Sequence, residues 1–332
     1  MADLQSARQR ARQRVRKALE PWEEPVNNGC SPWGSSTVTA IIADIDPPFD
    51  LIEPAVPSAP LLFSSPHSGR TYPPAFLASV RLSLATLRRS EDSFVDDLFA
   101  GACSRAMPFL RAHFPRSFVD LNREPYELDP AMFDGRLPPY ANTRSLRVGG
   151  GLGTIARVVG DAVEIYDRRL PVDEAMERID TYYLPYHRTL RQALTRLHRR
   201  FGTAVLIDCH SMPSSVVCRD ERPKADVVIG DRYGTSCSPR VANTVETTLR
   251  DLGYTVHRNK PYAGGFITEH YGAPAVGLHA IQIEINRALY LDEAGFRPSE
   301  RFERMRADID VLIERLAEMP YRDLITFPAA AE

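Results

Sequence analysis

The chain has 332 residues, with 41 Lys+Arg against 43 Asp+Glu, a formal net charge of −2 and a hydrophobic share of 43%. A chain this long can bury about three quarters of its unfolded surface, so neither disulfides nor a structural metal is needed to hold it folded. The near-neutral balance excludes a dedicated nucleic-acid binder, which would carry a basic surplus. No run of ~18 apolar residues is present and polar, basic residues follow Met1, so the expectation is a cytoplasmic protein without membrane contact.

Residues 1–20 carry Arg8, Arg10, Arg12, Arg14, Arg16 and Lys17 with few apolar partners, and residues 21–58 are rich in Pro, Gly and Ser. Such a composition cannot bury a core, and 1–48 is read as a basic arm and linker ahead of a catalytic domain at 49–325. From Ala59 onward, short apolar runs predict buried strands over Leu61–Ser65, Phe118–Leu121, Ala204–Ile207, Val227–Ile229 and Val276–Ile285. Helical periods lie between them, over Leu84–Ala102, Val172–Phe201, Arg240–Leu252 and Phe302–Ala317. Strands separated by helices predict an α/β sheet with helices on both faces.

Residues 130–153, ending in Gly149, Gly150, Gly151 and Gly153, read as a long surface loop of the kind that often serves as a lid. Gly151-Leu-Gly153-Thr-Ile-Ala156 formally matches a dinucleotide pattern, but Ala141–Arg147 before it is not a buried strand, so the required context is missing. The cysteines Cys30, Cys103, Cys209, Cys218 and Cys237 are odd in number, far apart and without a C-x-x-C pair, which predicts reduced thiols. Cys209 precedes His210, yet adjacent strand residues face opposite ways, so Cys209 is read as a core thiol rather than half of a Cys/His dyad.

Polar residues stand at the ends of the predicted strands. His67 follows Leu61-Leu-Phe-Ser-Ser-Pro, Asn122 and Arg123 follow Phe118-Val-Asp-Leu, His210 follows Ala204-Val-Leu-Ile-Asp-Cys, and Glu284 lies in Ala280-Ile-Gln-Ile-Glu-Ile. Ligands of open α/β sheets bind outside the carboxyl ends of strands, where residues distant in sequence converge. Two histidines and one carboxylate form the ligand set of a catalytic Zn²⁺ that keeps a position open for water. Carboxylates for that set lie in Ser90-Glu91-Asp92-Ser93-Phe94-Val95-Asp96-Asp97.

Taken in order, Ser65-Pro66-His67-Ser68-Gly69, Val119-Asp120-Leu121-Asn122-Arg123-Glu124, Tyr186-His187, Asp208-Cys209-His210-Ser211-Met212-Pro213, Gly264-Gly265 and His279–Arg287 resemble the motif series of the N-formylglutamate amidohydrolase family. The resemblance runs from about Phe49 to Leu291. It implies a mixed, mostly parallel sheet between helices, similar to the zinc carboxypeptidases (phosphorylase/hydrolase-like) and the aspartoacylases. It also implies one Zn²⁺ per chain held by His67 and His210, with Glu284 as the catalytic carboxylate. In the zinc carboxypeptidases the first ligand motif is H-x-x-E. Here Arg70 stands at the Glu position, so Asp92 is taken as the third ligand, with Glu91 and Asp96 behind it.

The resemblance further implies that Asn122 and Arg123 grip a substrate carboxylate, which suits the planar fork of Arg. Arg116 is a candidate for stabilising the oxyanion, and Tyr186 and His187 for reaching the site from the start of a helix. His279, on the opposite strand face from Glu284, reads as structural. The Gly264-Gly265 pair reads as a close backbone approach or a turn. The function expected is hydrolysis of N-formyl-L-glutamate to formate and L-glutamate, a reaction associated with histidine degradation. The alternative is a related metallo-amidase or carboxypeptidase-like hydrolase for another N-acyl amino acid or small peptide. The expected partner is a small acidic N-acyl amino acid; oligomeric state is left open.

Overall fold

The apolar runs assemble into a seven-stranded sheet. In chain order the strands are β1 (Phe49–Ile52), β2 (Leu61–Ser65), β3 (Phe109–Ala112), β4 (Ala204–Met212), β5 (Val227–Gly230), β6 (Val256–Arg258) and β7 (Leu278–Asn286). Their spatial order is β1-β3-β2-β4-β7-β5-β6. The β3/β2, β2/β4, β4/β7 and β5/β6 pairs are parallel, whereas β1/β3 and β7/β5 are antiparallel. The sheet is therefore mixed and mostly parallel. The computed structural model describes residues 45–160, 162–216 and 224–325. The basic arm, Cys30 and Cys218 lie outside the described residues. Among the described residues no helix is long and apolar enough to cross a membrane.

The central strands β4 and β7 are buried along their whole length, because helices cover both faces of the sheet. Alternation sends Val205, Ile207 and Cys209 of β4 and Ile281, Ile283 and Ile285 of β7 into one core. There they meet Val241, Val245 and Leu249 of helix Pro239–Asp251 and Ile309, Leu312, Ile313 and Leu316 of helix Phe302–Ala317. On the other face Ala204, Leu206, Leu278 and Ala280 pack against Leu190, Ala193, Leu194 and Leu197 of α1 (Leu184–Phe201). Each Val, Leu or Ile side chain among them contributes roughly 1.5–3 kcal/mol by leaving water. Towards the carboxyl ends of the same strands this second face turns polar, through Asp208, His210, Gln282 and Glu284. That change of chemistry along two adjacent strands lays the floor of the site.

Four elements differ from their sequence-based expectation, each for a physical reason. Phe118–Leu121 is an irregular connection, not a strand; β3 lies earlier, at Phe109–Ala112. Its apolar residues are buried beneath helices, a circumstance that periodicity cannot separate from a strand. The helical period over Leu84–Ala102 breaks into Leu84–Arg88, Val95–Leu98 and Gly101–Ser104. The break brings Asp92 back to His67, whose carbonyl accepts the Asp92 N–H at 3.0 Å. Val172–Phe201 is helical throughout, but a π turn at Ile179–Tyr183 separates Val172–Arg178 from α1. It precedes Pro185, which has no N–H to give to a regular ladder. The 130–153 loop is pinned: Met132, Phe133 and Val148 are buried, and the Leu152 carbonyl accepts from Arg123.

Candidate active site

Parallel pairing of β4 with β7 sets His210 directly opposite Glu284 and Asp208 opposite Gln282. Partners in register point to the same face, so these four side chains share the polar end of the sheet. His67 enters from the turn after β2, and Asp92 from the break between two short helices. His210 Nδ1 lies 2.9 Å from Asp92 Oδ2, and His67 Nδ1 lies 3.4 Å from the same oxygen. One ligand atom from each of His67, Asp92 and His210 lies within 4.8 Å of the other two.

Each histidine is held from behind by a carboxylate. His67 Nε2 lies 2.8 Å from Asp120 Oδ1, and His210 Nε2 lies 2.9 Å from Asp208 Oδ2. Such backing fixes ring orientation and turns both Nδ1 atoms toward the shared carboxylate oxygen. His67 Nδ1 is buried and has no hydrogen-bond partner. An orphaned ring nitrogen beside a second imidazole and a carboxylate, all converging, is a donor set that fits a divalent cation. Burial works against the charge of Asp92, but the hydrogen bond with His210 and the neighbouring His67 ring hold its carboxyl well below the usual range. Burial likewise opposes protonation of His210, and Asp208 and Asp92 outweigh it.

Glu284 is buried, and burial pushes its carboxyl up to about 7, with His210 pulling the other way. Its Oε1 accepts from Gln282 Nε2 at 2.6 Å, and Gln282 Oε1 accepts the Gly265 N–H at 2.8 Å. Arg116 donates from Nε to Asp120 Oδ2 at 2.8 Å. Burial disfavours its charge, but Asp120, Asp92 and Glu284 keep it protonated.

The other residues singled out from the sequence take different places. Glu91 accepts from Tyr72 Oη at 2.7 Å, and Asp96 faces Arg70 at 3.3 Å, so neither reserve carboxylate joins the His67–Asp92–His210 cluster. Asn122 is at the site, but its Oδ1 accepts the Ile267 N–H at 2.8 Å and its Nδ2 lies 3.3 Å from His210 Nε2. Arg123 donates from Nε to the Leu152 carbonyl at 2.7 Å and from Nη1 to the Asn122 carbonyl at 2.8 Å. Only its Nη2 turns to the site, 3.5 Å from Asp120 Oδ2. The pair is thus built into the wall of the site.

Tyr186 and His187 are buried, and their hydrogen bonds to Ser64, Leu121 and Tyr271 lie outside the His67–Asp92–His210 cluster. Tyr186 Oη is paired with Ser64 Oγ at 2.9 Å in the core. His187 Nε2 lies 2.8 Å from the Leu121 carbonyl and Nδ1 2.9 Å from Tyr271 Oη. Burial drives the His187 pKa down to about 3, so the ring is neutral and serves as a buried strut. His279 receives the Ser238 N–H at 3.2 Å on the far face of β7. Cys209 is buried in the opposite core, where burial raises its thiol well above the usual value, as a core thiol requires.

Sequence reasoning missed four contributors. Asp120 and Asp208 stand inside the same motifs, but the strand-end rule singles out the outermost residue and passes over the carboxylate behind it. Arg287, after β7, reaches Asp92. Tyr262 packs on Met212 and Val228 at the rim. Its phenol is pushed up to about 12, by burial first and then by the nearby Glu284 carboxylate.

The fold is a mixed, mostly parallel α/β sheet with a candidate metal centre of two histidines and an aspartate at the carboxyl ends of its central strands. Residues 59–291 match the N-formylglutamate amidohydrolase family, and the chain belongs to it. It is 31% identical to N-formylglutamate deformylase of Pseudomonas aeruginosa over 263 residues, which cover 77% of this chain and 92% of that protein. It is 29% identical to N-formylglutamate deformylase of Pseudomonas putida over 265 residues, covering 78% and 91%. The crystal structure of N-formylglutamate amidohydrolase from Ralstonia eutropha JMP134 superposes with a TM-score of 0.79 at 38% identity, over 83% of this chain and 99% of that one.

Proposed function

We propose that the chain cleaves the formyl amide of N-formyl-L-glutamate, releasing formate and L-glutamate, with one Zn²⁺ held by His67, Asp92 and His210. The observation that carries this reading is the convergence of two carboxylate-backed Nδ1 atoms and Asp92 Oδ2 beside the buried Glu284. The names of the Pseudomonas relatives supply the substrate. When bound, such a cation supplies Lewis-acid polarisation of an amide carbonyl and acidifies water near neutral pH.

The remaining work falls to the protein's own groups. Glu284 accepts a proton from the attacking water and returns it to the leaving nitrogen. A carboxyl pushed up to about 7 can be loaded and unloaded at neutral pH, which suits both halves of that transfer. Arg116, fixed by Asp120, offers its charge to the oxygen of the tetrahedral intermediate. The Nη2 edge of Arg123 attracts the substrate carboxylate, while Asn122 keeps the Gly265–Ile267 backbone against the site. The paired aspartates hold both imidazoles in orientation, so little reorganisation is needed as charge develops.

The test is formate release from N-formyl-L-glutamate by purified protein, measured before chelation, after it and after Zn²⁺ is restored. Loss and recovery of turnover are expected. Absence of turnover from protein shown to carry Zn²⁺ would reject this substrate, and a panel varying the acyl group and then the amino acid would locate the true one.

A further inference from the structure

Arg287 lies immediately after β7, buried, with its guanidinium spanning three acceptors. Nε donates to Ser211 Oγ at 3.1 Å, Nη1 to the Arg89 carbonyl at 2.9 Å and Nη2 to Asp92 Oδ1 at 3.3 Å. Ser211 Oγ donates to the same Asp92 Oδ1 at 3.1 Å. The two oxygens of Asp92 are therefore divided: Oδ1 is held by Ser211 and Arg287, and Oδ2 faces the two imidazoles.

We infer that Arg287, acting with Ser211, is a positioning residue that makes Asp92 a one-oxygen ligand; the inference rests on the cation site of the preceding section. Carboxylates coordinate cations through one oxygen or through both. A hydrolytic centre with three protein ligands needs a position left open. An Asp92 free to turn about its Cβ–Cγ bond could offer its second oxygen and fill that position. Arg287 and Ser211 occupy the second oxygen instead.

The placement follows from the fold. Ser211 is the residue after His210 on β4, and Arg287 begins the turn leaving the neighbouring strand, so the ends of both central strands reach the Arg89–Asp92 segment together. A planar guanidinium can satisfy a carboxylate, a hydroxyl and a carbonyl in one geometry, which a lysine ammonium cannot do over the same span. Arg287 thus ties the least regular ligand segment to the most rigid part of the sheet.

The experiment uses the full chain and the variants Arg287→Lys, Arg287→Met and Ser211→Ala. Equilibrium dialysis with Zn²⁺ alone gives affinity, and the visible spectrum of the Co²⁺-loaded protein reports coordination number, its absorption weakening as that number rises. kcat and KM are measured on N-formyl-L-glutamate. Expected for every folded variant are retained Zn²⁺, a weakened Co²⁺ absorption and a kcat lowered about 10–100-fold with a smaller change in KM. Arg287→Lys, which keeps the charge and loses the fork, should resemble Arg287→Met and not the wild type. A wild-type Co²⁺ spectrum in the folded variants would overturn the inference, whether or not kcat falls, because a merely structural arginine leaves the spectrum unmoved. If the Arg287 variants do not fold, Ser211→Ala carries the same comparison. Wild-type protein that binds no Zn²⁺, or binding that survives His67→Ala, would instead overturn the cation reading itself.

Discussion

Glu284 and His210 are cross-strand partners, yet the structure gives them different surroundings. His210 is bracketed by Asp208 and Asp92, whereas Glu284 Oε1 accepts from the neutral amide of Gln282. If His210 is a ligand and Glu284 the proton carrier, removing each must fail differently. His210→Ala should lose bound metal and turnover together. Glu284→Gln should keep about one Zn²⁺ per chain by metal analysis while kcat drops on the order of 10²–10⁴-fold, the range that general acid–base catalysis supplies. Full activity in Glu284→Gln would end its candidacy. Arg123 presents a second case at this scale, since two of its three nitrogens serve backbone carbonyls. If Nη2 meets the substrate carboxylate, Arg123→Ala should raise KM at least about tenfold, the loss of roughly one charge-assisted hydrogen bond, with metal retained. An unchanged KM would make Arg123 purely structural.

At the scale of elements, α1 holds the site through His187, which grips the Leu121 carbonyl next to Asn122. Its pKa is depressed to about 3 by burial, against an ordinary value of 6.5. The unfolded chain therefore binds this proton more readily, and stability from keeping the ring neutral is complete above pH 6.5 and is lost as pH falls towards 3. Between pH 8 and pH 5 this one group should cost about 2 kcal/mol. Urea unfolding of wild type and His187→Gln at both pH values checks it: the variant should lose about 2 kcal/mol less than wild type over that interval. Equal losses would mean that the ring is not held neutral. The Gly264–Gly265 turn bears on the site by contact. A Cβ at Gly265 would lie 2.3 Å from Asn122 Oδ1, which is itself anchored by the Ile267 N–H. Gly265→Ala should fold, since its φ is ordinary at −96°, but displace Asn122 and lower kcat about tenfold or more, as small misplacements near reacting groups do. Wild-type kinetics in Gly265→Ala would show that Asn122 can move freely.

For the whole molecule, legibility followed burial. β2, β4, β5 and β7 could be read because each is buried along its length and rich in Leu, Ile or Val, and helix Phe302–Ala317 because its apolar residues keep a helical period. β1 and β3, towards one edge of the sheet, and β6, at the other, are only partly buried and carry Asp50, Arg111 and His257 inside the strand, so no unbroken apolar run marks them. The His67 and His210 positions were visible as polar residues ending apolar runs, whereas Asp120, Asp208 and Arg287 act through other side chains and leave no separate mark in one sequence. What joins these pieces is that His67, Asp92 and His210 come from three separate stretches, so a cation shared among them would link β2, β4 and the intervening segment. Such a ligand binds the folded chain and not the unfolded one, and at 100 times its Kd it should add about 2.7 kcal/mol. In a protein of this size that corresponds to a rise in Tm of roughly 5 °C. Thermal melts of chelated and Zn²⁺-restored protein should differ by about that amount, and the difference should vanish in His67→Ala and in His210→Ala. A shift that persists in both variants would place the stabilising ion elsewhere, and identical melts for the wild type in the two states would remove the cation from the folded-state energetics.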